Sequence, residues 1–106
     1  MTGPFEVRYT AAAREDVLRL FDFLLERAQT LEDFDAAQAA IDALRNAVQN
    51  HLSRTPFIYR KAGDSAFVRE LIIPFGNAGY VALFGIEGAD TVNILAVRHQ
   101  REDDYH

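Results

Sequence analysis

The polar residues with the clearest chemical potential stand together at the end of the chain. After an apolar stretch that ends at Val97, the sequence continues Arg98-His99-Gln100-Arg101-Glu102-Asp103-Asp104-Tyr105-His106. Guanidinium, imidazole and phenol groups that follow a buried strand are held in fixed directions, so they can form a site for an anion, nucleic acid or a partner protein. The same run also fits an ordinary solvated tail.

The composition excludes several kinds of site. The chain has no cysteine, so disulfides, thiolate nucleophiles and cysteine-bound metal centres are ruled out. Its histidines do not supply a metal site, because His51 is distant in sequence from His99 and His106 and no HExxH-type spacing occurs. We therefore predict a protein with no metal and no cofactor.

Acidic residues predominate overall, with a net charge of −5, but the two halves differ. Residues 54–101 are mildly cationic, with four acidic residues against Arg54, Arg60, Lys61, Arg69, Arg98 and Arg101. A local anion-binding face is therefore possible in the second half. The field of the whole molecule opposes nucleic-acid binding, so we expect no direct sequence-specific binding of nucleic acid.

The length and the balance of residues indicate one globular domain over residues 1–106. Hydrophobic residues make up 49% and charged residues 25%, which excludes a disordered chain. No apolar run approaches the eighteen or so residues of a membrane span, and the first four residues are not a charged start to a signal peptide. We expect a cytoplasmic protein that does not associate with membranes.

The first half of the chain predicts one strand and two helices. Apolar and polar residues alternate over residues 5–10, which is typical of a short strand with one buried face. Thr10 is a suitable N-cap for an amphipathic helix from Ala11 to about Ala28. Asp33 can cap a second helix from about Phe34 to Leu52. The short connection between the two helices predicts an antiparallel hairpin.

The second half predicts a three-stranded meander after a polar connector, Arg54–Ser65. Its strands are rich in apolar and β-branched residues and cover Phe67–Ile73, Tyr80–Ile86 and Thr91–Val97. Pro74 is expected to end the first of them, and Gly76–Gly79 and Glu87–Asp90 to form the turns.

The order of elements is strand, helix, helix, strand, strand, strand. Because helices and strands are grouped, we predict an α+β fold, β-α-α-β-β-β, with the helical hairpin packed on one face of a mainly antiparallel sheet. The place of the first strand in that sheet cannot be read from the pattern.

Particular residues within these elements also resemble those of a known protein family. A helical hairpin followed by FVRELIIPFGNAGYVALFGIE and VNILAVRHQREDDY resembles the RelE/ParE family of toxins from type II toxin–antitoxin modules. The similarity extends from Val7 to Tyr105. It is strongest at residues 68–71, at Gly79-Tyr80 and where the last strand runs into Arg98-His99. The resemblance implies a bacterial toxin bound in a hetero-oligomer by a partly disordered antitoxin.

Two activities occur in that family, and the resemblance implies different residues for each. One branch cleaves messenger RNA on the ribosome without a metal, using strand cations and a late Tyr or His. In this chain its catalytic residues would be Arg69, Arg98, His99 and Tyr105. The ParE branch blocks DNA gyrase by binding. For contacts with the target or the antitoxin, the candidate residues are Arg60, Lys61, Arg69, Arg98 and Arg101.

The chain departs from the ribonuclease branch at three positions. Leu71, Val81 and Gln100 stand where that branch has or often has cations, and a net charge of −5 suits ribosomal RNA poorly. We therefore favour a ParE-like gyrase inhibitor over a ribosome-dependent endonuclease, and binding over enzymatic activity. A toxin-like binding module without toxicity is the third hypothesis. Arg69 also fits an ion pair with a helix residue, and Arg98 and His99 fit a solvated strand end.

Aromatic residues form a further candidate surface. They are expected in the core or, where exposed, to dock the apolar face of an antitoxin helix: Phe21, Phe23, Phe34, Phe57 and Phe84.

Overall fold

The computed structural model describes residues 4–76 and 78–100. Its elements are β1 (Glu6–Tyr9), α1 (Ala11–Arg27), α2 (Leu31–Leu52), a 3-10 turn (Pro56–Ile58), β2 (Val68–Phe75), β3 (Ala78–Glu87) and β4 (Thr91–His99). The predicted α+β class and the order β-α-α-β-β-β are confirmed.

The four strands form one mixed sheet in the order β1-β4-β3-β2. The meander β2-β3-β4 is antiparallel, as predicted, and β1 runs parallel to β4, with Tyr9 opposite Ile94. Two parallel neighbouring strands must be joined by a long crossover connection. The helical hairpin forms part of the connection between β1 and β4. The strand whose place could not be read from the sequence therefore lies at the sheet edge beside the last strand.

Both helices bury their apolar stripes on the same face of the sheet. The fully or almost fully buried core includes Ala13, Val17 and Leu20 from α1, Ile41, Leu44, Val48 and Leu52 from α2, and Leu71, Ile73, Phe84, Val92, Ile94 and Val97 from the sheet. Each large apolar side chain buried in this way contributes about 1.5–3 kcal/mol to folding. We call this side of the sheet the helix-facing side.

Side-chain caps fix where both helices begin. The Thr10 hydroxyl accepts a hydrogen bond from the Ala13 N–H at 3.1 Å, which confirms the predicted cap of α1. The cap of α2 is Thr30, so this helix begins at Leu31, earlier than predicted. Asp33 lies inside the first turn, where its carboxylate accepts from the Thr30 N–H at 3.3 Å and completes a capping box. The prediction of Asp33 as the cap residue was therefore wrong.

The hairpin between β2 and β3 is tighter than predicted. β2 continues through Pro74 to Phe75, and Phe75 pairs with Ala78, so the two strands occupy part of the predicted turn. Proline is tolerated here because β2 is an edge strand, where a missing N–H need not remove a ladder hydrogen bond. The expectation that Pro74 ends the strand was wrong.

The last strand is longer than predicted, and this changes the setting of the polar run. β4 extends to His99, with Arg98 opposite Val81 and His99 opposite Tyr80. These two residues therefore lie within the sheet, and the prediction of a strand exit at Val97 was wrong. The strand continues because its partner β3 begins before Tyr80 and offers backbone groups for pairing.

Candidate binding surface

The sheet has a second face on which neither α1 nor α2 packs. Side chains alternate between the two faces of a strand, so residues adjacent to core residues point to this side. We call it the open sheet face, and it carries Ile72, Val81, Leu83, Leu95, Ala96 and Arg98; the consecutive Leu95 and Ala96 share this face because the pairing with β3 shifts register there. Ile72 is 44% exposed and Leu95 37% exposed, so apolar surface remains accessible there.

Arg98 is one cation of the open sheet face, and Arg8 on β1, which pairs with Glu6, is another. Arg98 is half-buried in the row that also contains Val81 and Ile72 on the two neighbouring strands. Directly opposed side chains in an antiparallel sheet lie about 5 Å apart, so Ile72 and Arg98 flank Val81. Val81 itself is buried, with 5% of its surface exposed, so the row exposes Ile72 at one end and the half-buried Arg98 at the other.

Arg69, in contrast, lies on the helix-facing side near the start of β2. Its guanidinium donates a hydrogen bond to the backbone carbonyl of Tyr59. The Tyr59 ring in turn packs edge-on against the buried ring of Phe84, with centroids 6.1 Å apart. The observed contacts of Arg69 therefore hold the connector against the sheet.

The neighbouring cations of the connector are also tied to β2. Arg60 forms an ion pair with Glu70, and the Glu70 N–H donates to the Arg60 carbonyl at 3.1 Å. Lys61 is exposed and forms an isolated bridge opposite Arg69. Residues 60–61 thus add a short pairing segment at the sheet edge, and Lys61 presents its charge to solvent.

His99 points to the helix-facing side and lines a cavity of about 410 Å³ between the end of the hairpin and the end of the sheet. Its ring meets the Tyr80 ring edge-on, with centroids 5.6 Å apart and planes at 89°. Burial raises the pKa of Tyr80 above its ordinary value. The Tyr80 hydroxyl is therefore protonated at neutral pH and can donate a hydrogen bond.

Two charged residues at the hairpin end also line this cavity, and the sequence pattern indicated neither as a site residue. Arg27 lies with its guanidinium carbon 4.5 Å from the centroid of the Phe23 ring, a cation–π contact. Asp33 has its pKa lowered, chiefly by the hydrogen bond that its carboxylate accepts from the Gln29 N–H. Only the tertiary packing of the hairpin over the sheet places these groups near His99.

The described residues of the predicted catalytic set do not converge. His99 is level with Ile73 across β3, and Arg69 lies four residues further along β2. That spacing corresponds to about 13 Å along the strands and about 10 Å across them. Arg98 is on the opposite face. The fourth predicted member, Tyr105, lies outside the described residues, as does Arg101 of the predicted binding set.

Within residues 4–76 and 78–100, no group of three His, Asp or Glu side chains is placed to hold a metal ion. Across that part of the chain, no helix combines the length and the apolar character needed to cross a membrane.

The predicted aromatic set divides between core and surface. Phe84 is buried and Phe21 is half-buried, whereas Phe23, Phe34 and Phe57 are 48%, 44% and 58% exposed. Exposed aliphatic and aromatic residues also occur outside that set, chiefly Leu31, Ile58 and Phe67. These side chains belong to the hairpin and to the connector, so apolar surface is available on several sides of the molecule.

A comparison with solved structures defines the class of fold. The chain is similar to a protein of the chromosomal ParDE TA system from P. aeruginosa, with a TM-score of 0.71 over 92% of this chain and 98% of that chain. Sequence identity is 16%, so this likeness shows a shared fold. No curated protein sequence matches the chain.

The family is shown by the sequence itself. The model of the family described as the ParE toxin of the type II toxin–antitoxin system, parDE, matches residues 7–104. The chain therefore belongs to the ParE toxin family. This confirms the resemblance drawn from the meander and the closing strand, and it places the chain in the ParE branch.

Proposed function

We propose that the protein is a toxin that inhibits DNA gyrase by binding to it, and that a cognate antitoxin neutralises it in a toxin–antitoxin complex. The observation that carries this proposal is the ParE family match over residues 7–104. The match extends from the second residue of β1 to beyond β4, so it covers the hairpin and all of the sheet except Glu6.

The placement of the cations supports binding over RNA cleavage. A metal-free ribonuclease needs several fixed cations around one phosphorane, and removing one oxyanion donor costs about a hundredfold or more in rate. Here Arg69 and His99 are separated along and across the sheet, and Arg98 faces the other way. A binding surface does not require these groups to meet at one atom.

The open sheet face is the surface that we assign to the antitoxin. Its exposed Ile72 on β2 and Leu95 on β4 offer apolar surface that suits the apolar side of an amphipathic helix. Arg98, in the same row as Ile72, remains a candidate contact residue. The exposed Lys61 and the predicted Arg101 remain candidates for further contacts.

A supercoiling assay tests the target. Purified protein is titrated into DNA gyrase with relaxed plasmid, and the antitoxin is the product of a short reading frame adjoining the toxin gene. We expect supercoiling to stop at saturating toxin and to recover when the antitoxin is added first. Normal supercoiling at saturating toxin contradicts the proposal.

Expression in cells separates the two activities of the family. A gyrase inhibitor should arrest growth with an SOS response. Primer extension on translated messages should then show no new 5′ ends, whereas new ends would favour the ribosome-dependent endonuclease. Growth without arrest would favour the non-toxic binding module.

A pair of variants tests the antitoxin surface. Leu95→Glu places a charge on the open sheet face, and we expect it to weaken antitoxin binding about tenfold or more, because a carboxylate must then be buried against apolar surface. Leu31→Glu is the matched control, since Leu31 is 82% exposed at the start of α2, where a carboxylate suits the helix dipole. Equal effects from both variants would exclude a specific role for the open sheet face.

A further inference from the structure

A second cavity lies where β1, α1 and α2 meet, and it shares no residue with the cavity of His99 or with the open sheet face. Its volume is about 500 Å³, and its lining residues are Tyr9, Arg14, Val17, Leu18 and Arg45. Neither the family resemblance nor the sequence motifs assigned any role to these residues. The cavity combines two guanidinium groups, one phenol and an apolar wall.

The two arginines of this cavity have no anionic partner within the described chain. Neither forms an ion pair, although the protein carries a net charge of −5. The helix neighbours of Arg14 three and four residues later are Val17 and Leu18, which bear no charge. Asp42, three residues before Arg45, instead accepts a hydrogen bond from the Gln38 amide at 3.0 Å.

Arg14 does not stabilise α1 through its charge. It is the fourth residue of α1, and the first turn of that helix contains no acidic residue. A cation near a helix N-terminus is unfavourable with respect to the helix dipole. An anion bound at Arg14 would gain from both the guanidinium and the helix, so the position suits ligand binding better than helix stability.

The remaining groups supply a hydrogen-bond donor and an apolar surface. Burial raises the pKa of Tyr9, and the charge of Arg45 offsets this only in part. The Tyr9 hydroxyl is therefore protonated at neutral pH and can donate to an anion. Val17 is buried and Leu18 is 59% exposed, so together they form a wall against which a flat apolar group can lie.

We propose that this cavity binds a phosphate monoester carried on a flat ring system, as in a nucleoside monophosphate. A phosphate monoester carries nearly two negative charges at neutral pH, which matches two guanidinium groups, whereas one carboxylate would leave one of them unmatched. Its oxygens suit the planar guanidinium fork. A volume of about 500 Å³ is within the range of small-molecule sites, and the net charge of −5 disfavours a long polyanion.

The test is a calorimetric titration of the full chain with the four nucleoside 5′-monophosphates at low salt. We expect at least one of them to bind ten or more times more tightly than inorganic phosphate or the corresponding nucleoside. A 5′-phosphorylated single-stranded oligonucleotide is titrated as a further ligand. The proposal is overturned by absence of nucleotide binding at millimolar concentration, by equal binding of inorganic phosphate, or by tighter binding of the oligonucleotide.

Variants then locate the site. Arg14→Ala and Arg45→Ala should each weaken nucleotide binding about tenfold or more, since each removes a charged hydrogen-bond donor. Both side chains are exposed, so the fold should persist, and circular dichroism checks this. Arg54→Ala is the control, because Arg54 is exposed outside the cavity and the charge change is identical. An equal loss with Arg54→Ala would mean that binding follows net charge alone, which refutes the assigned site.

Discussion

Replacing Gly79 with alanine should destabilise the protein through a clash between two strands. A Cβ atom at this position would lie 2.3 Å from the Ile73 carbonyl oxygen and 3.0 Å from the Pro74 Cα atom. Both neighbours are backbone atoms of β2, so no side-chain rotation can relieve the contact. The backbone of Gly79 itself has no positive φ, which leaves the clash as the reason for glycine.

The magnitude follows from how far the strands must separate. Carbon–oxygen contacts between adjacent strands are ordinarily about 3.3 Å or longer, so β2 and β3 must move apart by about 1 Å near their hairpin. Overpacking of this kind costs about 1–3 kcal/mol. For a domain of this size each kcal/mol lowers the melting temperature by about 4 °C, so we expect a decrease of roughly 4–12 °C.

Denaturant unfolding and calorimetry measure this effect, with Gly85→Ala as the control on the same strand. A Cβ atom at Gly85 would lie 3.7 Å from the Phe67 carbonyl oxygen and 4.0 Å from the Leu95 Cδ1 atom, which are ordinary contacts. We expect Gly85→Ala to be neutral, or stabilising by up to about 1 kcal/mol through the unfolded state. A Gly79→Ala protein within about 0.5 kcal/mol of the original, or an equal loss in both variants, would refute the reasoning.

Three further predictions concern stability and pH. Thr30→Ala should lower the free energy of unfolding by about 1 kcal/mol in denaturant titrations, because the α2 cap is lost; an unchanged value would contradict the observed capping box. Arg69→Met should lower the free energy of unfolding by about 1–2 kcal/mol, because the hydrogen bond to the Tyr59 carbonyl is lost. The proposed inhibition of gyrase should be unchanged. Loss of inhibition in folded Arg69→Met protein would indicate a functional role for Arg69. Burial raises the folded-state pKa of Tyr80, so the contribution of its neutral hydroxyl to the free energy of unfolding is fully present below the ordinary tyrosine pKa of about 10 and is lost as pH rises above it. In unfolding titrations at alkaline pH, Tyr80→Phe should therefore make the decline of the free energy of unfolding shallower. Identical slopes for the two proteins would contradict this.

Local patterns were sufficient to predict most of the fold. The apolar periodicity of both helices and the alternation of the strands depend on neighbours within a few residues, so the elements and their order were readable. Errors occurred at ends, where tertiary context decides. Pro74 continues a strand because β2 is at the edge of the sheet, and β4 continues to His99 because β3 is there to pair with it. The parallel place of β1 depends on a contact with Ile94, eighty-five residues away by sequence number from Tyr9.

The candidate sites were less predictable, because a charged residue in a motif does not reveal what its side chain contacts. Arg69 and Arg60 looked like binding cations, and the structure pairs them with the Tyr59 carbonyl and the Glu70 carboxylate. The cavity with Arg14 and Arg45 was missed for the opposite reason. Its two arginines are thirty-one positions apart on different helices, and no spacing rule connects them.

Adjacent residues on β4 show why a binding function suits this arrangement better than catalysis. Because side chains alternate along a strand, Arg98 faces the open sheet face while His99 faces the cavity beneath the hairpin. Catalysis by both groups would need them on one face, and a change of register would not bring them together, because it exchanges the faces of both residues. Binding does not require the two groups to share a face, since each face can present its own polar group to a different partner. The end of β4 therefore presents a polar group to each of the two faces of the sheet.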